Sequence, residues 1–194
     1  MFKFIAARIT KWLLKKGAIS SNDIDLYLYA IDTIFFSFPP LFLTISVGLV
    51  LNMFVESLLL LLPFVIIRKF SGGFHLKSPI KCLFLSSLLL LTMLLVIRIS
   101  QIYAYITVCT VLTILSSLSL CLLSPIDSVE RQLTEREICM FKHCTIYIVI
   151  GFDVLYFVFL FMKSYRISTS LAYGILLPAI LQLPCLIPRK KDSN

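Results

Sequence analysis

Charge is scarce in this chain. Of 194 residues only 14% are charged, among them 10 acidic side chains, and there are 2 histidines. Soluble globular domains carry roughly 25% charged and about 45–50% apolar residues. Here the apolar share is 59% and the mean hydropathy +0.99, which excludes a water-soluble domain. Nor is there a Gly-rich phosphate loop followed by Lys and Ser or Thr, the feature that nucleotide-driven chemistry would need. The net charge of +8 comes from short basic clusters set between apolar runs. With no contiguous basic face, nucleic acid is excluded as a partner. Six cysteines do not make a disulfide framework, because Cys109, Cys121 and Cys185 lie within apolar runs while Cys82, Cys139 and Cys144 flank basic segments. Free thiols are the default expectation.

What the chain has in plenty is apolar sequence. At about 20 residues per membrane-spanning helix, its apolar content supplies five or six spans. The expected fold is all-α: a single polytopic membrane domain over 1–194, with about six transmembrane helices after an N-terminal amphipathic interfacial helix. In the region 1–30, Arg8, Lys11 and Lys15 fall on one helical face and Phe2, Ile5, Ile9, Trp12 and Leu13 on the other. No small-residue cleavage site precedes the first long apolar run, so this helix should be retained and lie in the interface. The apolar stretch 33–67 is long enough for two short spans turning near Asn52 to Glu56, with Glu56 in the outer turn. Spans 3 and 4 follow in 82–123, a charged cytoplasmic loop in 124–143, and spans 5 and 6 in 144–187. Orientation comes from the positive-inside rule. With both termini and the 68–81 loop cytoplasmic, the inner connections hold fifteen of the 18 Lys and Arg, leaving Arg98, Lys163 and Arg166 outside.

The polar connection 68–81 is where chemistry is expected. It runs Arg68-Lys69-Phe70-Ser71-Gly72-Gly73-Phe74-His75-Leu76-Lys77-Ser78-Pro79-Ile80-Lys81 and leads into Cys82. A thiol attacks as thiolate, a form favoured beside cations and at a helix N-terminus. Lys77, Lys81 and Arg68 are near Cys82 in sequence, and Pro79 suits the first turn of the helix that Cys82 enters. In one continuous helix His75 and Cys82 would share a face but stand about 10.5 Å apart along the axis, so Pro79 and the glycines must allow a fold-back. Gly72 and Gly73 can adopt backbone angles closed to other residues, and their amides are candidate oxyanion donors. Against this stand the plain alternatives: a turn, a solvated histidine and an inert thiol.

Arg68, Gly72, Gly73, His75 and Cys82 at these spacings resemble the signature of the accessory gene regulator B (AgrB) family. Chain length, the basic amphipathic N-terminus, several spans and a cytoplasmic loop opening Ser124-Pro125-Ile126-Asp127 resemble it as well. Ser128, Val129, Glu130, Arg131 and Gln132 depart from the stretch often found next in that family. The resemblance implies a cysteine endopeptidase in the plasma membrane of a bacterium, which trims the C-terminal tail of a small AgrD-like propeptide. It further implies that the enzyme promotes closure of a thiolactone or lactone ring, giving a quorum-sensing peptide precursor. His75 and Cys82 would be the catalytic pair, with Arg68, Gly72 and Gly73 as substrate-binding or oxyanion candidates. No metal or other cofactor is expected, and the partners are the propeptide, the lipid bilayer and, as a reasonable assembly, a second copy.

Two other functions compete. One is a peptide transporter that cleaves nothing; the other is a zinc protein using Cys139, His143 and Cys144 beside His75 and Cys82. Asp153 falls in the middle of the fifth span, where a carboxylate is costly without a partner, and no partner is evident from sequence. Gln182 in the sixth span reads equally as packing or as part of a transport path.

Overall fold

A computed structural model of the chain describes residues 2–20, 23–73, 79–99, 105–126 and 134–186. It contains seven helices: α1 (Phe2–Lys15), α2 (Ile24–Val50), α3 (Phe54–Ser71), α4 (Pro79–Ile99), α5 (Tyr105–Leu123), α6 (Glu135–Phe161) and α7 (Tyr165–Leu186). The protein is therefore an all-α, multi-pass membrane protein, and five helices (α2, α4, α5, α6 and α7) are long and apolar enough to cross a bilayer. The remaining long helix, α3, has 18 residues, about 27 Å, and carries Glu56 in its first turn and Arg68 and Lys69 in its last. The expected six spans thus become five clear ones and a sixth with charge at both ends.

Helix boundaries differ from the expectation in two places. α2 starts at Ile24, nine residues before the expected Thr33, with Asp25 in its first turn where a negative charge favours the helix dipole. α6 starts at Glu135, inside the stretch read as a charged loop. Thr134 caps it: its hydroxyl accepts from the Glu137 amide and Glu137 Oε2 accepts from the Thr134 amide, a reciprocal capping box. At 27 residues, about 40 Å, α6 outreaches a hydrocarbon core of roughly 30 Å, so its charged first turns extend past the lipid.

The chain gathers into two compact units, Met1–Thr44 with Leu76–Leu90 and Ile45–His75 with Leu91–Asn194. In the first, α1 buries Ala6 and Thr10 and exposes Phe4 and Trp12, the surface of an interfacial helix. The second unit is built around α7, of whose apolar window 72% is buried, against 17–28% in the other four spans. Ile67 of α3, Leu120 of α5, Val149 of α6, and Ile175 and Ala179 of α7 form its core.

Contacts at the helix ends give the directions. Arg166 at the start of α7 pairs with Glu56 at the start of α3 at 2.8 Å, and Gln182 near the end of α7 reaches Ser71 at the end of α3. The two helices are parallel. Glu56, in the first turn of α3, is a buried carboxylate held by a cation, which lowers the cost of keeping both charges near lipid. α5 runs with α7, since its end meets Gln182 through Ser124, while α6 runs against them, pairing Tyr156 with Thr110 and Asp153 with Ser117.

Close approach of α3 and α7 depends on Gly174. A Cβ there would stand 2.5 Å from Pro63 Cγ and 2.7 Å from the Leu60 carbonyl oxygen. Small residues at such crossings let helices pack without the hydrophobic driving force that water supplies. Gly174→Leu is accordingly expected to destabilise the protein by about 2–3 kcal/mol, through overpacking against backbone that cannot retreat. Thermal unfolding in detergent checks this, and an unchanged midpoint would show that α3 and α7 can separate freely.

Candidate functional site

The site is built where α3 ends. A helix leaves its last four carbonyls without intrahelical donors, and in lipid each needs another partner. Ser71, fully buried, is supplied from two other elements: its carbonyl accepts from the Ile126 amide at 3.0 Å and from Gln182 Nε2 at 3.0 Å. Gln182 Nε2 also donates to Ser124 Oγ at 2.8 Å. One carboxamide thus bridges the ends of α3 and α5.

Gly72 and Gly73 follow this anchored carbonyl. Gly72 has φ 69° and ψ −149°, a region open essentially to glycine alone, and Gly73 has φ 133°. Gly72 lies in a parallel bridge with Ile126, and a Cβ on it would collide with the Ile126 carbonyl oxygen. A Cβ on Gly73 would stand 3.4 Å from Arg68 Nη1 and 3.5 Å from the Leu181 carbonyl oxygen. The expected use of the two glycines as a bend is therefore correct in backbone terms, and the Arg68 guanidinium lies against that bend. Phe70 meets Phe141 of α6 edge to face, with ring centroids 6.0 Å apart, and Lys69 Nζ stands 5.5 Å from the centre of the Phe70 ring.

The glycine turn, the end of α5, the start of α6 and the end of α7 all lie at one end of the second unit. Three of the segments assigned to the cytoplasmic side by charge, 68–73, 124–126 and 134–142, are found together there. Cys82 is a free, half-buried thiol in the first turn of α4, beside the exposed Lys81. His75 lies outside the described residues, as do Lys77, Ser78 and the 127–133 stretch.

The side chains weighed for zinc show a local arrangement. His143 is exposed on α6, with Nδ1 2.7 Å from the Cys139 carbonyl oxygen of its own helix and 3.7 Å from Cys139 Sγ. Among the described residues no three His, Cys, Asp or Glu side chains cluster as metal ligands.

Sequence reasoning missed three pairings. Ser117 donates to Asp153 Oδ1 at 2.8 Å, which gives the intramembrane carboxylate its partner. Arg166 serves Glu56, and Gln182 serves Ser71. The available signal for the first was the run of hydroxyl residues along α5, Thr110, Thr113, Ser116 and Ser117 among them, of which the last three are buried. Gln182 is fully buried and keeps its Oε1 without a hydrogen-bond partner, at a cost of about 1–3 kcal/mol for an unsatisfied acceptor.

Comparison with protein families gives a match over most of the chain. The family model described as Accessory gene regulator B covers residues 6–183. No curated protein and no solved structure matches the chain.

Proposed function

Since this chain belongs to the accessory gene regulator B (AgrB) family, whose members take part in AgrD processing for quorum sensing, we propose that it is a membrane cysteine endopeptidase. Its substrate would be an AgrD-like propeptide, with Cys82 as nucleophile and His75 as general base. The observation that carries this reading is the Gly72–Gly73 turn: it is held from two sides, has Arg68 against it, and lies nine residues before Cys82 in the chain. Such a turn offers backbone at close range to a peptide, and Arg68 offers a cation for the acidic part of a propeptide tail.

The reaction follows from these groups. His75 takes the proton of Cys82, and the thiolate adds to the scissile carbonyl. Amides of the glycine turn stabilise the oxyanion. Collapse of this adduct breaks the C–N bond, and the amine of the tail leaves with the proton held by His75. The retained peptide is then a thioester on Cys82. A thiol or hydroxyl within that peptide attacks the thioester carbonyl and passes its proton to His75, and Cys82 leaves as thiolate while the ring closes. One thioester replaces another when the attacking group is a thiol, so no nucleotide is needed. Water must be kept from the thioester, and a site at the lipid interface serves that end. With the basic connections on the inner face, the amphipathic propeptide approaches along the cytoplasmic leaflet.

The acyl-enzyme is the decisive species. Protein reconstituted in lipid, mixed with a synthetic amphipathic propeptide and quenched in acid within seconds, should carry the retained fragment on Cys82. Its mass is that of the free acid less one water, and hydroxylamine should release it as a hydroxamate. Cleaved propeptide with no adduct on Cys82 and no hydroxamate would mean direct attack by water and would overturn the mechanism. Uncut propeptide carried across the membrane would favour the transporter instead.

A further inference from the structure

Gln182 does more than fill space and satisfy a carbonyl. It is wholly buried in α7, and both protons of its amide are used, one on the Ser71 carbonyl and one on Ser124 Oγ. Its carbonyl oxygen has no hydrogen-bond partner. A leucine or methionine would strand no acceptor of its own, so the glutamine carries a desolvation cost that an apolar residue of similar size would not.

The bond that Gln182 makes has a geometric consequence. The Ser71 carbonyl belongs to the planar peptide unit that joins Ser71 to Gly72. Ile126 and Gln182 donate to the same oxygen, from the end of α5 and from α7 respectively, and so fix that plane. Gly72 and Gly73 have wide rotational freedom, and without the two donors the direction in which the backbone leaves α3 would not be set. We infer that Gln182 is a positioning residue for propeptide cleavage: by holding the Ser71 carbonyl it aims the Gly72–Gly73 turn. This rests on the reading of that turn as the oxyanion donor for acylation of Cys82. Ser124 is the far end of the same clamp, and it keeps the Gln182 amide in the rotamer that reaches Ser71.

The role predicts a particular kinetic signature. A clamp on the turn acts on the chemical step, where a misplacement of about 1 Å costs roughly a hundredfold, and leaves ground-state binding of the long amphipathic substrate alone. Gln182→Met should lower kcat for cleavage by about 10- to 100-fold with KM within about threefold of the parent. Iodoacetamide labelling of Cys82, read by mass spectrometry on the Cys82 peptide, should proceed at the parent rate, because the nucleophile is untouched. Ser124→Ala, which loosens the clamp without altering α7, should lower kcat several-fold in the same pattern. It decides the matter if the methionine variant does not fold. Parent-level kcat in either folded variant, or a rise in KM alone, would overturn the inference. Cys82→Ala run alongside separates the two claims. If that variant still cleaves, the peptidase reading fails; if it is silent while Gln182→Met cleaves normally, only the positioning role fails.

Discussion

Cys82→Ala is expected to reduce propeptide cleavage to the rate seen without protein, a loss of at least about 10⁴-fold, as removal of a covalent nucleophile does in other peptidases. Serine at position 82 should be almost as poor, since a hydroxyl is far less nucleophilic than a thiol and nothing in the chain marks a base strong enough to replace the thiolate advantage. His75→Ala should fall to a similar level, because a nucleophile and its base act as one unit and their losses do not add. Cys144→Ala, on α6, should cleave at the parent rate. The assay is mass spectrometry of the two propeptide fragments after co-reconstitution. Cleavage that persists without Cys82 sinks the peptidase reading, and loss in Cys144→Ala as well would point to a metal held by His143 and its neighbouring thiols.

Gly72→Ala is expected to be the most damaging conservative change at the end of the second unit where α3, α5 and α7 finish. At φ 69° and ψ −149° an alanine is strained by about 1–3 kcal/mol before any contact is considered. The added Cβ also runs into the Ile126 carbonyl oxygen, so the bridge between Gly72 and Ile126 must open. Opening it withdraws the Ile126 amide from Ser71, whose buried carbonyl would then depend on Gln182 alone. A total of about 2–4 kcal/mol in stability and at least a hundredfold in cleavage should be lost. Gly73→Ala offers the internal comparison: its Cβ would meet the flexible end of Arg68 at 3.4 Å, which can give way, so strain at φ 133° alone remains. Thermal unfolding in detergent and fragment analysis on both variants test the ranking. Equal effects at the two glycines would show that the bridge to Ile126 carries no weight.

Much of the fold was legible because membrane helices announce themselves one at a time. Length and hydropathy gave the spans, and the amphipathic face of residues 2–15 gave the interfacial helix, since each property is local to its segment. Boundaries were legible only where the right rule was applied. The Thr134-Glu135-Arg136-Glu137 sequence carries a capping-box pattern that starts α6, yet its charge reads as loop when hydropathy alone is followed. At the site, a local pattern pointed to Gly72 and Gly73 as a bend, and the structure agrees in the backbone. Partnerships between segments were hidden. Gln182 with Ser71, separated by 111 residues, and Ser117 with Asp153, separated by 36, follow from how helices stack, which no single segment encodes. Buried polar residues in apolar helices mark that such partners exist, and their identity awaits the packing.

The parallel pair α3 and α7 is tied at both ends, by Glu56 with Arg166 and by Ser71 with Gln182, and pressed together at Gly174 between. This makes it a ruler. The fifteen residues from Glu56 to Ser71 span about 22 Å of helix, so the depth of the glycine turn below the opposite face is set by covalent geometry rather than by the lipid. A bilayer that is thicker or thinner must adapt to this strut by deforming locally or by tilting it whole. On the proposed peptidase reading, the height at which a propeptide has to present its scissile bond is then a property of the protein, and a substrate whose amphipathic segment rides too deep or too shallow would be refused without any contact to its sequence.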